Sequence, residues 1–475
     1  MDFDPAVLDE PFLPASFEDW QAAALKAAKA DQIAALHSSV EGLDIAPVSG
    51  RSPGQTPIPM GRPDWLAFQR VDDPDVGRAS IQAETDANGG ADGLALVFEG
   101  ASNAFGRGLP ANKETLFAVL NHIDLERTAL RIDAHPAIRK SAQWLVEFIQ
   151  TKKPTPRKLR LATGIDTASI FAASGRLSMS FEALKASLPQ SLTGFFASGL
   201  PGVLLEADAR PFHHAGATAA QELGFALSVA VSHLRMAEEA RQPAGNIAPS
   251  IGFVLCVDQD FAITIAKLRS IRLLWSRVLE TCGAKLALPV KLHVETSWRM
   301  MSAHDPENNI LRNTIALCAA AFGGASSISV LPHTVANGLP DPSARRIARL
   351  MQLVARDESH LGQVMDVAAG SGAIEALTHA LCEAAWAEFQ KIESAGGSLP
   401  SLASGALQAQ VAASRASREA TMRQTKIIGV NAFQATDKRA VSIMPHPIVA
   451  TEFPSKVFCE PLPLWSVDLL FEAGK

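Results

Sequence analysis

The alternation of strand-like and helix-like segments after Gly90 is the sequence feature that most constrains the fold. Short apolar or β-branched runs end in Gly, Asp, Ser or Pro, and longer stretches with helical spacing of apolar residues follow them. Strands are predicted at Leu94–Phe98, Ala129–Asp133, Leu159–Thr163, Gly202–Ala207, Gly252–Val257, Lys291–Glu295, Ser327–Leu331 and Gln363–Val367. Helices are predicted at Lys113–His122, Ala137–Gln150, Ser180–Leu188, Thr218–Ala240, Phe261–Cys282, Asn308–Phe322 and Ser343–Ser359. Eight such units over about 300 residues are typical of a (β/α)8 TIM barrel, whereas a doubly wound sheet more often has roughly five to seven strands.

Two regions outside this alternation have a different composition. Before it, a Pro-rich segment contains one helical stretch, Phe17–Leu36, whose start is marked by the capping pair Ser16 and Asp19. After it, a last amphipathic stretch leads into a Pro-rich tail. The predicted domains are an N-terminal arm and helix (1–85), the barrel (86–400) and a C-terminal helix with a linker-like tail (401–475). Because Pro and Gly prevent residues 48–63 from holding a helix or a central strand, we expect the arm to wrap a partner chain.

Charge, cysteine and hydropathy patterns exclude several classes of protein. The 43 Lys and Arg against 49 Asp and Glu give a formal net charge of -6, so no basic surface for nucleic acid is expected. The five cysteines are widely spaced and form no CxxC pair, which indicates a reducing compartment instead of a disulfide framework or a zinc site. An acidic start and the lack of an apolar run of about 18 residues favour a cytoplasmic protein without a membrane segment.

Two adjacent histidines are the candidates for catalysis. His213 and His214 follow the fourth predicted strand, and the catalytic groups of these barrels gather at the carboxyl ends of the strands. A structural role, with both imidazoles hydrogen-bonded inside the fold, is the alternative. Four polar strand residues either line a pocket or satisfy one another in the barrel core, and these are Glu206, Asp208, His293 and Glu295. The chain contains no tyrosine, so no tyrosine is available as an acid or beside a radical.

Two further runs resemble cofactor-binding motifs. The segment Asp366–Gly372 resembles the glycine-rich turn of methyltransferases, but it follows the last predicted strand. We interpret it as a barrel loop in which the amides of Ser371 and Gly372 could hold a phosphate. Asp133-Ala-His135 resembles part of a cobalt-ligating motif, yet Ile138 stands where that motif requires glycine. No metal-binding or nucleophile signature is present, so we predict that this chain itself binds no cofactor and no metal.

Several longer motifs follow one another in a fixed order over residues 200–431. They include Ala215-Gly-Ala-Thr-Ala219, Ala266-Lys-x-Arg269, Val294-Glu-Thr-Ser-Trp-Arg-Met-Met301, Asp305-Pro-x-Asn308, Phe322-Gly-Gly-Ala325, Gly338-Leu-Pro-Asp341, Ala369-Gly-Ser-Gly372 and Ile428-Gly-Val-Asn431. Through these motifs the chain resembles the methylmalonyl-CoA mutase family. The resemblance is closest to the small, non-catalytic subunit, because Arg210-Pro-Phe-His-His-Ala-Gly-Ala-Thr218 has that subunit's form. Catalytic subunits carry a Tyr-His pair where this chain has Arg210 and Pro211.

The resemblance implies a structural, catalytically inactive subunit. Whether this chain takes part in the reaction itself is left open by the sequence. A catalytic large subunit is the implied partner in a heterodimer, and that partner is expected to carry adenosylcobalamin. The heterodimer is expected to interconvert (R)-methylmalonyl-CoA and succinyl-CoA. We expect no C-terminal cobalamin domain in this chain, which ends at Lys475. The alternative is an acyl-CoA-binding barrel subunit of a split acyl-CoA mutase that recruits a separate cobalamin-binding protein.

Overall fold

A closed barrel of eight parallel strands forms the centre of the computed structural model. The structure describes residues 15–472 except 53, 55–56, 63, 188–192, 194–197, 200, 240, 285–288, 437–438 and 447–454. The barrel strands are β1 (Leu66–Val71), β2 (Gly93–Leu96), β3 (Ala129–Ile132), β4 (Leu161–Ile165), β5 (Val203–Asp208), β6 (Ile251–Val257), β7 (Lys291–Thr296) and β8 (Ser327–Ser329). Each strand pairs with the next one along the chain, and β8 closes the barrel against β1, with Ser327 opposite Leu66. The (β/α)8 barrel predicted from the sequence is confirmed.

Helices form the layers outside the barrel. The longer helices are α1 (Val76–Asn88), α2 (Lys113–Leu120), α3 (Ile138–Lys152), α4 (Thr167–Ser174), α5 (Ala219–Glu239), α6 (Phe261–Thr281), α7 (Asn308–Phe322), α8 (Pro342–Leu353), α9 (Gly372–Ser394), α10 (Ser398–Ala403) and α11 (Ala406–Gln424). Shorter helical pieces lie at Arg210–His214, Ala244–Ile247, Val467–Glu472 and 181–187. The start of α8 follows from its sequence, since Asp341 Oδ1 accepts a 2.8 Å hydrogen bond from Ala344 N and Pro342 begins the helix.

The first barrel strand lies inside the segment that the sequence assigns to the N-terminal arm. Strand β1 covers Leu66–Val71, so the barrel begins about 20 residues earlier in the chain than the predicted boundary at 86. Two polar residues, Gln69 and Arg70, interrupt its apolar pattern, although both side chains are buried. The other predicted strands up to Ser327–Leu331 overlap β2 to β8.

The strand predicted at Gln363–Val367 is wrong, because this segment forms turns. Its apolar side chains do not pack in a core, since Val364 is 63% and Met365 is 51% exposed. Asp366 has a positive φ of 45°, which is incompatible with a strand, and its carboxylate pairs at 2.9 Å with Arg269 of α6. The two valines of this short segment resemble a strand pattern in the sequence. The eighth barrel strand is instead Ser327–Ser329, because the first strand lies before the predicted barrel boundary.

A second helical layer covers one side of the barrel. Helix α9 packs against α5 and α6, and Gly224 of α5 permits this close approach, since a Cβ there would lie 2.7 Å from Glu388 Cβ. Ile58, in the Pro-rich arm, donates its backbone N–H to Asp366 Oδ2 at 2.8 Å, and Ile58 and Met60 are buried. This part of the arm therefore packs on the chain's own barrel. Among the described helices, none combines the length and the apolar character needed to cross a membrane.

The N-terminal helix is the first element of the described chain. The predicted stretch Phe17–Leu36 forms two pieces, a helix over Phe17–Ala28 and a 3-10 turn over Ile33–Leu36. Its predicted start is confirmed, because Ser16 and Asp19 form a reciprocal capping box. None of the residues in Phe17–Ala28 is buried.

Candidate functional site

Charged side chains fill the middle of the barrel, where Val, Ile and Leu usually dominate. Arg70, Arg131, Glu206 and Glu295 come from β1, β3, β5 and β7, and each is at most 2% exposed. Alternate strands supply the members of one layer in such barrels. Here that layer consists of two ion pairs. Arg131 binds Glu206 through two hydrogen bonds of 2.7 Å, and Arg70 Nη1 lies 3.3 Å from Glu295 Oε2.

Arg210 lies at the carboxyl ends of the strands, beside this layer. It begins the short helix after β5, and its side chain is fully buried. Its guanidinium donates to Asp208 Oδ2 at 2.7 Å and to Asp133 Oδ2 at 3.1 Å, and its Nη1 lies 3.6 Å from Glu295 Oε1. Arg210 therefore connects β5 with β7 and with the end of β3. Burial disfavours its charge, but the carboxylates of Asp133 and Asp208 raise the pKa of Arg210 well above its ordinary value.

The carboxylates of this network are paired within the protein. Burial by itself would raise the pKa of Asp133, but the guanidinium groups of Arg210 and Arg131 hold it well below its ordinary value. Asp72, which follows β1, lies 2.8 Å from Arg70 Nε. A carboxylate that is ionised and already bound by an arginine is a poor general base, because it gains little from accepting a proton. Asp133 and Asp72 are therefore poor bases. Burial raises the pKa of Glu206 and of Glu295, but both carboxylates are bound within the network, to Arg131 and Arg70.

The polar strand residues singled out in the sequence belong to this network or lie beside it. Glu206 and Glu295 pair with arginines of the central layer, and Asp208 pairs with Arg210. His293 Nδ1 lies 2.8 Å from Ser327 Oγ, and burial lowers the pKa of His293 well below its ordinary value. The observed contacts are those of side chains that satisfy one another in a barrel core.

His213 lies between a glutamate and a serine. Its Nδ1 is 2.6 Å from Glu222 Oε1 of α5, and its Nε2 is 2.7 Å from Ser297 Oγ. Lys267 of α6 donates a 2.8 Å hydrogen bond to the other oxygen of Glu222. Burial, followed by the positive charges of Arg299 and Lys267, lowers the pKa of His213 well below its ordinary value.

The combination of serine, histidine and glutamate is also that of some hydrolase triads, but here it has no access from solvent. Ser297, His213 and Glu222 are each 0% exposed. A nucleophile needs space beside its oxygen for the substrate carbonyl and donors for the oxyanion. We therefore assign these contacts to the stability of the fold. Sequence reasoning missed Glu222 and Ser297 as partners of His213, and Lys267 as the partner of Glu222. Two of these residues lie in family motifs, Ser297 in Val294–Met301 and Lys267 in Ala266–Arg269.

His214 points in a different direction from its neighbour. The two imidazole rings are 5.8 Å apart and inclined by 79°, and His214 Nε2 lies 3.8 Å from Cys256 Sγ. Phe105 contacts the edge of the His214 ring and stacks on Trp298 with ring centroids 4.2 Å apart. The backbone N–H of Trp465, in the C-terminal tail, donates to the His214 carbonyl at 2.9 Å. Aromatic residues thus cover the turn that carries both histidines.

His135 is also inside the fold. It is fully buried, stacks on Phe98 with ring centroids 4.8 Å apart, and lies 2.9 Å from Ser141 Oγ through its Nε2. Burial lowers the pKa of His135 to about 3. This histidine has no open side from which a large cofactor could approach.

The arm covers the loop that contains Ser371 and Gly372. A Cβ on Gly372 would lie 1.6 Å from the carbonyl oxygen of Gly50, so only glycine permits this contact. The neighbouring Gly370 N–H already donates to Glu375 Oε1 at 3.0 Å. A phosphate at this helix start would therefore have to displace both the arm and the Glu375 carboxylate. In the part of the chain that the structure describes, no cluster of His, Cys, Asp and Glu side chains is placed to hold a metal ion.

A cavity of about 460 Å³ opens at the opposite, amino-terminal end of the barrel. Its inner wall includes Arg131, Glu206 and His293, which belong to the central layer or lie beside it. Arg160 and Lys291 also line it, and burial lowers the pKa of Lys291. Arg62 lines it as well, so the cavity combines a charged floor with three further cationic side chains.

We expect replacement of one buried histidine, His233→Gln, to reduce the acid sensitivity of the fold. His233 of α5 lies 2.8 Å from the carbonyl oxygen of Glu206 through its Nε2, and burial lowers its pKa to about 4 from 6.5. The unfolded chain therefore binds an extra proton between those pH values. The stability that this residue contributes is complete above pH 6.5 and is lost as the pH falls toward the folded pKa. Near pH 5 the slope of unfolding free energy against pH should decrease by up to about 1.4 kcal/mol per pH unit.

Urea unfolding of both proteins at pH values between about 4.5 and 6.5, roughly half a pH unit apart, measures this slope. Gln is the matched replacement because its amide nitrogen can still donate to the Glu206 carbonyl. Identical slopes for the two proteins would contradict the prediction.

Comparison of the chain with known proteins shows similarity to one family. A family model described as Methylmalonyl-CoA mutase matches residues 111–452. The methylmalonyl-CoA mutase small subunit of Streptomyces virginiae is 34% identical over 414 residues, which are 85% of this chain and 65% of that protein. The small subunit of Propionibacterium freudenreichii subsp. shermanii is 31% identical over 70% of this chain and 52% of its own length. The methylmalonyl-CoA mutase of Escherichia coli is 32% identical over 46% of this chain and 31% of its own length.

The chain thus spans between about half and two thirds of the length of the small subunits that it matches. Among solved structures, a dihydropteroate synthase of Yersinia pestis in complex with a sulfonamide drug matches 66% of this chain and 98% of that one, with 13% identity and a TM-score of 0.30. A dihydrodipicolinate synthase from Agrobacterium tumefaciens matches with 13% identity and a TM-score of 0.26, over 67% and 96% of the two chains. Likenesses this low carry no information about the site.

Proposed function

Because the chain belongs to the methylmalonyl-CoA mutase family, we propose that it is the non-catalytic small subunit of a heterodimeric mutase. Its partner in this proposal is a catalytic large subunit that carries adenosylcobalamin. The complex interconverts (R)-methylmalonyl-CoA and succinyl-CoA, and this chain contributes a folded barrel and an interface. The relatives named small subunits support the existence of a larger partner.

The position of Arg210 is the observation that carries the proposal. By the family resemblance, Arg210 and Pro211 stand where catalytic subunits have a Tyr-His pair. Arginine stays protonated at every physiological pH and proline has no side-chain proton, so neither can replace a histidine in general acid catalysis. The Arg210 guanidinium also occupies the barrel interior, bound to Asp208 and Asp133. This arrangement supports a non-catalytic role, because ion pairs fill the part of the barrel where a substrate would have to bind.

The three histidines that the sequence singles out do not fit a cobalamin site. A cobalt ligand needs an imidazole with one nitrogen free and accessible, whereas His135 is 0% exposed and lies against Ser141 and Phe98. His213 and His214 are also buried, and the turn that carries them is covered by aromatic residues. We therefore assign adenosylcobalamin to the partner subunit.

The N-terminal helix supports the presence of a partner. Phe17–Ala28 has 12 residues and none of them is buried, with Phe17 53% exposed. Isolated helices of this length are marginal in water, because the cost of nucleation is not recovered by the few backbone hydrogen bonds. Phe17 and Trp20 contact each other, with ring centroids 5.4 Å apart, and so present one aromatic patch. A partner surface that buries this patch supplies the missing stabilisation.

Reconstitution tests the proposal. The purified chain alone should show neither a corrinoid spectrum nor mutase activity. Mixed with the cobalamin-carrying mutase subunit of the same organism, it should co-elute with that subunit in gel filtration at equal stoichiometry, and the complex should be active. Stoichiometric corrinoid retained by the isolated chain, or failure to co-elute with that subunit, would show that the proposal is wrong.

We expect the heterodimer with His213→Gln and His214→Gln in this chain to keep its turnover within about twofold of the parent complex. Both imidazoles are buried and bound within the fold, whereas general acid catalysis requires about 2.6–3.2 Å between the acid and the substrate atom. Replacement of the catalytic histidine in the partner should abolish turnover and serves as the control. A loss above about tenfold, or 1.4 kcal/mol, in a variant that stays folded and paired would assign a catalytic role to this barrel.

The cavity at the amino-terminal end of the barrel favours a second candidate function, an acyl-CoA-binding subunit that recruits a separate cobalamin-binding protein. Its cationic Arg160 and Lys291 suit the phosphate groups of coenzyme A. Calorimetric titration with coenzyme A distinguishes the two candidates. Binding tighter than about 100 μM that weakens at least tenfold in Lys291→Met, together with turnover in the presence of a free cobalamin-binding protein, would support this alternative.

A further inference from the structure

The last segment that the structure describes, residues 455–472, crosses the carboxyl-terminal side of the barrel, and we call it the C-terminal strap. Its first part lies beside α4, where the Leu462 N–H donates to the Ala172 carbonyl at 2.8 Å. Further along, the Trp465 N–H donates to the carbonyl of His214, in the turn after β5, at 2.9 Å. The strap therefore passes from the outer helices onto the rim of the barrel.

The end of the strap is bound to the loop after β7. Asp468 Oδ2 accepts a 2.6 Å hydrogen bond from the Ala303 N–H, and its Oδ1 lies 3.2 Å from His304 Nδ1. Because β6 lies between β5 and β7 in the barrel, the strap crosses the carboxyl end of β6. Trp465 lines the same cavity, of about 530 Å³, as Asp258, which follows β6. The strap thus covers a part of the rim where barrels of this kind carry their functional groups.

The strap has little regular structure of its own. It contains a two-residue strand, Val457–Phe458, and a six-residue helix, Val467–Glu472. A helix this short is not stable alone in water, so the order of the strap comes from its docking. Buried apolar side chains supply the docking energy, and these are Leu462, Trp465, Val467 and Leu470. A segment held on the outside of a fold by such contacts opens at a lower free energy than the strands of a closed barrel.

We propose that the C-terminal strap is a lid, which opens as one unit while the barrel stays folded and thereby uncovers the rim between β5 and β7. A molecule that binds at this part of the rim must first displace the strap from Ala303 and from the turn that carries His214. The inference concerns the chain by itself, so it holds whether or not the chain pairs with a catalytic subunit.

Cys459, near the start of the strap, reports on its opening. Its Sγ lies 3.7 Å from the Phe171 carbonyl oxygen, and burial raises the pKa of Cys459 to about 11. Alkylating reagents attack the thiolate, so the docked thiol reacts slowly and the detached thiol, with an ordinary pKa, reacts faster. When the reagent acts more slowly than the strap recloses, the observed rate is proportional to the open population.

The first test changes one end of the strap and measures the other. Asp468→Ala removes the contacts with the loop after β7, nine residues along the chain from Cys459. Alkylation of the full chain by iodoacetamide, measured for each cysteine by mass spectrometry, should then be at least about tenfold faster at Cys459. The rate at Cys382 of α9 should stay the same, because the body of the protein remains folded. Leu469→Ser changes an exposed side chain of the same short helix, so it is the matched control and should alter the Cys459 rate by less than about twofold.

The second test works in the opposite direction. Trp465→Ala removes a buried ring from the middle of the strap and leaves Asp468 in place. Hydrogen exchange of the Ala303 amide, which donates to Asp468 in the docked strap, should become at least about tenfold faster. The amides of β6 should keep their exchange rates, because the barrel does not open.

Three results would overturn the proposal. An unchanged Cys459 rate in Asp468→Ala would show that the two ends of the strap open separately. Equal acceleration at Cys459 and Cys382 would show that the whole fold opens instead of the strap. An unchanged Ala303 exchange rate in Trp465→Ala would show that the rim stays covered.

Discussion

Replacing Arg210 by methionine should lower the free energy of unfolding by about 3–5 kcal/mol. The guanidinium is fully buried and is shared by Asp208 and Asp133, with Glu295 also within 3.6 Å. Methionine has a similar volume but no charge, so these carboxylates would remain in a low-dielectric interior with less compensation. Leaving one buried charge unpaired is far more costly than deleting an ion pair in water. Urea unfolding followed by tryptophan fluorescence measures the difference.

Two control variants separate the loss of charge from the loss of packing. Lys113→Met removes one partner of an exposed pair with Glu147 and should cost no more than about 1 kcal/mol. The double variant Arg210→Met and Asp208→Asn removes both members of one buried pair, so it should be more stable than Arg210→Met alone. If Arg210→Met costs as little as Lys113→Met, the ion-pair network does not hold the barrel together.

The ion-pair core bears on the proposal that this chain is the non-catalytic subunit. A TIM barrel normally has a packed interior and places its chemistry on the loops at the carboxyl ends of the strands. In this chain Arg210 extends from such an end onto Asp208 and Asp133, and Phe105 and Trp298 stack over the neighbouring turn. Side chains that satisfy one another thus fill this end of the barrel, which supports that proposal.

Most of the barrel was predictable because its strands are short apolar runs separated by amphipathic helices. Strand β6, for example, is buried along its whole length and reads as an uninterrupted apolar segment. Strand β1 was missed because Arg70 is polar in the sequence and buried in the structure. Its pairing with Glu295 joins residues 225 positions apart, and local periodicity contains no information about such a pair.

The site was predictable only in part, because contacts between residues far apart in the sequence leave no local pattern. Its position after a strand was enough to single out His213. The family resemblance drew attention to Arg210, which lies in the same short helix. Their partners come from other elements, as Glu222 comes from α5 and Ser297 from the end of β7. Whether a buried polar residue is catalytic or structural depends on these distant partners and on access for a substrate. Both are properties of the folded chain.

Replacing Phe17 and Trp20 by serine should weaken binding of the proposed catalytic partner by roughly 100-fold, if the N-terminal helix lies in the interface. Burial of a large apolar side chain contributes about 1.5–3 kcal/mol, so two aromatic residues in one patch account for an effect of this size. The melting temperature of the isolated chain should not change, because no residue of Phe17–Ala28 is buried in it. Binding affinity and thermal unfolding are therefore measured on the same double variant.

The matched control is Lys26→Ser, which alters the same helix without touching the Phe17–Trp20 contact. It should reduce affinity by less than about threefold, since an exposed lysine contributes little to an interface. Circular dichroism should also show helix gained when the parent chain binds its partner, because a 12-residue helix without buried residues is only marginally formed alone. Unchanged affinity of the Phe17→Ser and Trp20→Ser variant, with normal melting, would place this helix outside the interface and leave its exposed aromatic patch without a partner.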